Sequence, residues 1–173
     1  MDAHYDMVMK ARGQAGQGVR RYFAYSTILD RPAFLEWRGQ HGYDFFDLPE
    51  GPLAEGLDVA LAWDFPSRWW GGRVAGLVDR PGATVWGRLF EVSEQDWPVV
   101  QHKEGVVTGM SIERPVRVRV GGVELDAVAF ATNPARASGD GPVSARFTEA
   151  LVRGARSAGL PAEWVECLPS LAR

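Results

Sequence analysis

Two adjacent glycines, Gly121 and Gly122, are the feature that most constrains the fold of this chain. They separate two runs rich in valine, residues 116–120 and 123–132. A two-residue glycine link favours the tight turn of a β-hairpin, because its central positions need positive φ angles that glycine adopts without strain. The sequence therefore predicts an antiparallel pair of strands here.

Five further runs have the composition of strands. The clearest is residues 57–65, where Val59, Leu61 and Trp63 alternate with smaller or charged residues, as in a half-buried strand. Arg80-Pro81-Gly82 predicts a turn between two others. The predicted strands are residues 21–27, 57–65, 74–78, 84–92 and 106–112.

Residues that favour helix ends predict four helices. Asp30, Ser93 and Ser144 can accept a hydrogen bond from the free amides of a first helical turn, and Pro161 fits a first turn. Gly105 favours the left-handed end of the second helix, which places Glu104 at its last turn. The predicted helices begin at residues 30, 93, 144 and 161 and end near residues 40, 104, 158 and 168.

These elements predict one domain over residues 21–173, since neither a repeat nor a linker divides the chain. Residues 1–20 contain several glycines and glutamines but few large apolar side chains, so we expect a flexible N-terminal tail. The expected fold class is α+β. We expect a mixed, mostly antiparallel sheet that curls into a small β-barrel, with helices packed outside it.

Composition excludes several classes of function. With 19 basic and 22 acidic residues the net charge is −3, and the arginines are scattered, so no nucleic-acid partner is expected. Cys167 is the one cysteine, and the three histidines lack metal-ligand spacing, so neither a metal nor a cofactor is expected. No apolar run approaches the roughly 20 residues that span a bilayer, which predicts a cytoplasmic protein with no membrane partner.

Five short motifs occur in a recognisable order. In that order and spacing they resemble the gamma-glutamylcyclotransferase family over about residues 21–168. The resemblance implies a small barrel enzyme that cleaves a γ-glutamyl amide without water. The substrate's own α-amine attacks the γ-carbonyl, which forms 5-oxoproline and releases an amine or amino acid. The motifs are Tyr22-Phe23-Ala24-Tyr25, Trp70-Gly71-Gly72, Val85-Trp86-Gly87, Glu104-Gly105 and Gly159-Leu160-Pro161.

The same resemblance implies roles for five residues. Glu104 would be the catalytic acid and base, and its position favours this, because a helix C-terminus and neighbouring valines both raise a carboxyl pKa. Tyr25, Ser26, Thr27 and Ile28 would form the loop whose backbone amides hold the substrate α-carboxylate. Only the tyrosine keeps the family's Tyr-Gly-Ser-Asn pattern, and a side chain at the glycine position disfavours positive φ.

Other interpretations stay open at this point. Without the resemblance, Glu104 reads as a solvated residue at a helix end. The apolar Ile28 favours a second hypothesis, a barrel that binds a small ligand without catalysis. A third, acyl transfer through a nucleophile, rests on Cys167 alone. The partner expected under the first hypothesis is a small γ-glutamyl compound, its leaving amine is not fixed, and a homodimer is compatible with the sequence.

Overall fold

Five strands and five helices form the part of the chain that the structure, a computed structural model, describes: residues 4–48 and 50–172. One short 3₁₀ turn, Thr27–Leu29, follows the first strand. In chain order the elements are α1 (Tyr5–Gln14), β1 (Val19–Ala24), α2 (Arg31–Gln40), β2 (Leu53–Ser67), β3 (Gly72–Ser93), α3 (Trp97–Lys103), β4 (Ser111–Val120), β5 (Val123–Thr132), α4 (Ala145–Ser157) and α5 (Ala162–Leu171).

The strands pair in the order β1-β3-β2-β4-β5, which closes on itself as a small barrel. The successive neighbours in this order are antiparallel, and one parallel pair, Tyr22 with Val128, joins β5 back to β1. The hairpin predicted from the two glycines is confirmed, since Val120 pairs with Val123 across Gly121 and Gly122. The predicted α+β class, with a mixed and mostly antiparallel sheet flanked by helices, is confirmed as well.

Strands β2 and β3 form one long hairpin, which corrects the prediction of two strands at 74–78 and 84–92. The chain reverses at residues 68–71. The turn predicted at residues 80–82 is instead an irregularity within β3, where pairing jumps from Leu57 with Thr84 to Val59 with Asp79. Asp58 has a φ of 56° there, and its Oδ1 accepts a hydrogen bond of 2.8 Å from the Gly82 amide. The extra residues are thus accommodated without breaking the strand.

The N-terminal segment is ordered where the sequence predicts a flexible tail. Helix α1 occupies residues 5–14, and β1 already begins at Val19. Val8 is 1% exposed, and the ring of Tyr5 stacks on Tyr43 with centroids 5.5 Å apart. The prediction is wrong for these residues because the side chains of α1 have partners elsewhere in the fold, including an ion pair of 3.1 Å between Arg12 and Asp96. Residues 1–3 of the predicted tail lie outside the described residues.

The region around α3 differs from the sequence prediction at both ends. The helix begins at Trp97 rather than near residue 93, because Ser93 instead closes a turn by accepting a bond of 3.1 Å from the Asp96 amide. The strand predicted at 106–112 is wrong: residues 104–109 form turns, and β4 begins at Ser111. Gly105 has a φ of 83°, which ends the helix and starts these turns.

Helices α4 and α5 cover one side of the barrel, and α4 also packs against the turn Thr27–Leu29. Ser144 caps α4 as predicted, its Oγ accepting from the Phe147 amide at 3.1 Å. Asp30 precedes α2 as predicted, but its side chain makes no cap bond and pairs with Arg153 of α4 instead. Across residues 4–48 and 50–172, none of the helices has the length and apolar character needed to cross a membrane.

Candidate functional site

A cavity of about 160 Å³, here called the inner cavity, lies between the end of α3, the segment after β1 and strand β3. Glu104 lines it together with Tyr25, Ser26 and Thr27, so the fold brings four of the five predicted site residues together. Ile28 is the exception: its side chain is 5% exposed and belongs to the core beneath the loop. The loop therefore presents polar side chains and backbone to the inner cavity.

Glu104 is positioned by the way α3 ends. Its amide donates to the Val100 carbonyl at 2.9 Å, as the last residue of the helix would. Gly105 then takes the left-handed conformation, and the chain turns away through residues 105–110. An L-residue with a side chain would be strained at that φ, so the glycine of the Glu104-Gly105 motif fixes where the helix stops. The carboxyl group is left at the cavity wall.

The Glu104 carboxyl has one hydrogen bond and one free oxygen. Tyr22 Oη donates to Oε1 at 2.9 Å, while Oε2 has no hydrogen-bond partner among residues 4–48 and 50–172. Burial raises the pKa of Glu104 above its ordinary value, and the charge of Lys103 and the bond from Tyr22 oppose that rise. The predicted rise of this pKa agrees in direction, with burial as its main cause. A carboxylate with a raised pKa and an unengaged oxygen can take up and return a proton.

Tyr22 is the contact that sequence reasoning missed. It lies on β1, is 2% exposed, and packs edge-on against Trp97 of α3 and Phe130 of β5, with ring centroids 6.1 and 5.6 Å apart. Burial and the nearby Glu104 both raise the Tyr22 pKa, so its hydroxyl stays protonated and acts as a donor. The only signal was its place in the Tyr22-Phe23-Ala24-Tyr25 motif, which does not reveal its partner.

Tyr25 has a structural contact rather than a free hydroxyl. Its Oη donates to the Phe130 carbonyl at 2.5 Å, which ties the end of β1 to β5, and burial raises its pKa. Ser26 has a φ of −116°, so the residue that replaces the family's glycine needs no positive φ. The 3₁₀ turn that follows leaves the amides of Thr27 and Ile28 without partners inside the turn, because the first amides of any helix lack them.

The other motif glycines allow close backbone approach around the site. A Cβ at Gly87 would lie 2.3 Å from the Ala24 carbonyl oxygen, and one at Gly72 would lie 2.7 Å from the Pro142 carbonyl oxygen. Gly76 lines the inner cavity, and its Cβ would lie 2.3 Å from Thr132 Oγ1. These contacts explain in physical terms why glycine occupies Trp70-Gly71-Gly72 and Val85-Trp86-Gly87.

A second and larger space, here called the outer groove, adjoins the inner cavity. It measures about 1040 Å³, and Phe65, Ser67, Trp69 and Gly105 line both spaces. The aromatic residues at this end of the barrel differ in burial. Trp63 is a core residue at 5% exposure, whereas Trp69, at 75% exposure, lines the outer groove.

Comparison with known proteins points the same way as this geometry. The model of the AIG2-like family matches residues 84–168. Gamma-glutamylcyclotransferase of Bos taurus is 27% identical over 161 residues, covering 92% of this chain and 82% of the bovine protein. The chain is thus similar in sequence to gamma-glutamylcyclotransferases. The human gamma-glutamylcyclotransferase is 26% identical over 116 residues, covering 66% of this chain and 60% of the human protein.

A solved gamma-glutamyl cyclotransferase structure has the same fold. It superimposes with a TM-score of 0.74 at 23% identity, covering 88% of each chain. The span that matches the AIG2-like model contains Glu104 and excludes the loop from Tyr25 to Ile28. The roles of these five residues therefore stay predictions, which the proposal below takes up.

Proposed function

We propose that this protein is a cyclotransferase that cleaves a γ-glutamyl amide by intramolecular attack, releasing 5-oxoproline and a free amine or amino acid. The bond between the γ-carbon and the amide nitrogen breaks, and a bond between the γ-carbon and the substrate's own α-nitrogen forms. Counted from the α-ammonium to a released ammonium, two protons pass from the α-nitrogen to the leaving nitrogen, one before the attack and one as the ring nitrogen becomes an amide. No water, metal or cofactor enters this balance, so the expected reaction is cofactor-independent.

Glu104 would carry the proton. At neutral pH the α-amine of the substrate is an ammonium group, which must lose a proton before it can attack. Glu104 lines the inner cavity, and its Oε2 can accept that proton, while Tyr22 holds Oε1 and restricts the carboxyl orientation. The same carboxylic acid then protonates the leaving nitrogen, as a single acid and base shared by both steps.

The loop would hold the substrate folded back on itself. Tyr25, Ser26 and Thr27 lie on the wall of the same small cavity as Glu104, and the amides of Thr27 and Ile28 begin a 3₁₀ turn. Backbone amides at such a turn suit the α-carboxylate of a glutamyl group. Bringing the α-amine and the γ-carbonyl together in this way can contribute several kcal/mol, about 7 in well-oriented intramolecular reactions.

The observation that carries the proposal is the juxtaposition of Glu104 and this loop across a cavity that also has a buried donor, Tyr22. Residues 82 positions apart in sequence meet here through a 2.9 Å bond, although neither pattern alone is specific. The binding-only hypothesis rested on Ile28, and its support is weaker now that Ile28 packs in the core. The nucleophile hypothesis is weaker too, because burial raises the pKa of the Cys167 thiol and disfavours its thiolate.

The experiment that tests this proposal measures 5-oxoproline release from γ-glutamyl amino acids and γ-glutamyl amines, with wild type and Glu104→Gln in parallel. Glutamine keeps the size of the side chain and can still accept from Tyr22, but it cannot take up a proton. We expect release by the wild type and a loss of roughly 10²- to 10⁴-fold in the variant. Release that is unchanged in Glu104→Gln would refute the role of Glu104, and no release from any compound would refute the cyclotransferase proposal.

A further inference from the structure

The outer groove is where the leaving group of a γ-glutamyl amide would lie. It shares the walls Phe65, Ser67, Trp69 and Gly105 with the inner cavity, and it is more than six times larger. A glutamyl group held beside Glu104 would direct its γ-amide towards the outer groove, because the groove is the larger space that shares lining residues with the inner cavity. What is attached to the amide nitrogen then meets the groove. This reasoning rests on the proposed function.

The groove wall carries an excess of positive charge although the whole chain is acidic. Arg68, Arg73 and Arg136 line it, against one carboxylate, Asp140, while the net charge of the chain is −3. Arg73 is engaged by backbone carbonyls, its Nε donating to Gly141 at 2.8 Å. Arg68 and Arg136, within the described residues, have no ion-pair or hydrogen-bond partner for their side chains, so both guanidinium groups are available to a ligand anion.

The rest of the groove wall is largely apolar. Trp69, Phe65 and Met110 contribute large side chains, and Pro142 contributes a further apolar surface. Trp69 is 75% exposed, Arg146 donates to its backbone carbonyl, and the Arg146 guanidinium lies 5.7 Å from its ring centroid. An exposed indole offers the aromatic ring of a ligand a stacking surface.

We propose that the outer groove is the leaving-group subsite and that its occupant is a bulky aromatic amine bearing a carboxylate. Trp69 stacks on the aromatic ring, and Arg68 with Arg136 attract the carboxylate. A polyamine or a lysine side chain is disfavoured because its second cation would face the three arginines. A small amino acid leaves most of the groove unfilled. The preferred substrate class is therefore γ-glutamyl conjugates of aromatic amino acids.

Four matched compounds test the proposal. They are γ-glutamyl-phenylalanine, its neutral amide of the same size, γ-glutamyl-alanine and γ-glutamyl-putrescine. For the wild type we expect kcat/KM for γ-glutamyl-phenylalanine to exceed that for the neutral amide by roughly fivefold to tenfold, as two exposed charge contacts allow. We expect kcat/KM for the alanine compound to be roughly threefold to tenfold lower than for γ-glutamyl-phenylalanine, as the loss of one stacking contact predicts. The putrescine compound should have the lowest kcat/KM of the four.

Two variants assign the preference to the groove. The double variant Arg68→Gln/Arg136→Gln should bring the kcat/KM values for the phenylalanine compound and its amide to within about twofold of each other, since the charge contact is then gone. Trp69→Ala should lower kcat/KM for γ-glutamyl-phenylalanine by a larger factor than kcat/KM for γ-glutamyl-alanine, so that the ratio of the two falls towards one. Arg80→Gln is the matched control, because Arg80 is an exposed arginine that lines neither space; it should leave every ratio as in the wild type.

The outcomes separate this inference from the proposed function. Release of 5-oxoproline from all four compounds at similar rates would support the cyclotransferase and overturn the leaving-group preference. No release from any compound would overturn the cyclotransferase. In that case calorimetric binding of γ-glutamyl-phenylalanine and its amide to the wild type decides the groove: tighter binding of the acid that is lost in the double arginine variant supports the subsite, and equal binding overturns it.

Discussion

Helix α3 has a glutamate near each end, and the two differ in how fully their oxygens are engaged. At the first end Glu113 Oε1 accepts from Trp97 Nε1 at 2.6 Å and from Gln101 Nε2 at 2.7 Å, while Oε2 pairs with Arg20 at 3.2 Å. At the other end Glu104 has a single donor, Tyr22, and one oxygen left free at a cavity.

The difference separates a carboxylate with a structural use from the one proposed to be catalytic. Glu113 has donors on both oxygens, so its negative charge is used to hold α3 against β4 and β1. Glu104 is half-buried without such compensation, which raises its pKa and leaves it able to exchange a proton. The first arrangement stabilises the protein, and the second suits the proposed proton transfer.

The largest expected effect is that replacing Glu104 removes activity, whereas replacing Glu113 lowers stability. Glu104→Gln should reduce 5-oxoproline release by roughly 10²- to 10⁴-fold. Glu113→Gln should keep release within about threefold but lower the free energy of unfolding by roughly 1.5–3 kcal/mol, because three bonds to a charged group are weakened. Steady-state kinetics and urea denaturation of both variants measure this, and equal activity losses would contradict the comparison.

The direction in which Glu104→Gln changes folding stability follows from the raised pKa. Burial raises the pKa of Glu104 in the folded protein, so the folded state binds this proton more tightly than the unfolded chain does. Stability is therefore lost as pH rises from the ordinary glutamate range through the raised pKa, and it is not regained above it. At pH 7 the variant should unfold at the same temperature as the wild type or a higher one.

The next effect concerns the donor that Glu104 does have. Tyr22→Phe removes a bond that lowers the Glu104 pKa, so the acid limb of the pH-rate profile should move to higher pH, and kcat/KM should fall roughly tenfold at neutral pH. The wild-type limb itself should lie above the ordinary range of glutamate, because activity needs the ionised carboxyl. Kinetics over a range of pH test both statements.

Tyr25→Phe is the matched control for that variant. The Tyr25 hydroxyl bonds to the Phe130 carbonyl and makes no hydrogen bond to Glu104. Its loss should lower the free energy of unfolding by roughly 1–3 kcal/mol and leave the acid limb where it is in the wild type. An equal displacement of the limb in both variants would show that Tyr22 acts through general packing.

A smaller effect is expected from filling the inner cavity. Gly76→Ala places a Cβ 2.3 Å from Thr132 Oγ1, so the Thr132 hydroxyl, which donates to Asp64, or the backbone must shift, at a cost of roughly 1–3 kcal/mol in folding stability. The same shift should raise KM for every γ-glutamyl compound. Gly13→Ala, whose Cβ would meet nothing within 4 Å, is the control: it should leave KM unchanged and should not lower stability, because alanine favours a helix more than glycine does.

The smallest effect concerns the cap of α4. Ser144 Oγ accepts from the Phe147 amide and donates to the Trp70 carbonyl at 2.6 Å, which joins the helix to the turn beside the outer groove. Ser144→Ala should lower the free energy of unfolding by about 1 kcal/mol and leave kcat within about twofold. Thermal unfolding measures the first, and a large fall in kcat would mean that the α4 cap also controls the site.

Sequence reasoning performed best where a single residue type has one physical use. Gly121 and Gly122 predict their hairpin because the tight turn needs positive φ, and Ser144 predicts its cap because the first amides of α4 need an acceptor. It performed worst where partners decide. Helix α1 is held by residues distant in sequence, among them Tyr43, on which the Tyr5 ring stacks. Residues 106–110 do not form a strand because Gly105, with its positive φ, redirects the chain.

The sequence by itself determined the fold class, the cap of α4, the hairpin and the candidacy of Glu104, because these depend on local conformational preferences and on motif order. Only the tertiary structure decided that Tyr22 donates to Glu104, that Ile28 is buried away from the cavity, and that Asp30 pairs with Arg153 instead of capping its helix. The physical reason is distance along the chain. A hydrogen bond or a packing contact between residues 80 or more positions apart exists only once the barrel has closed and α3 and α4 have packed against it.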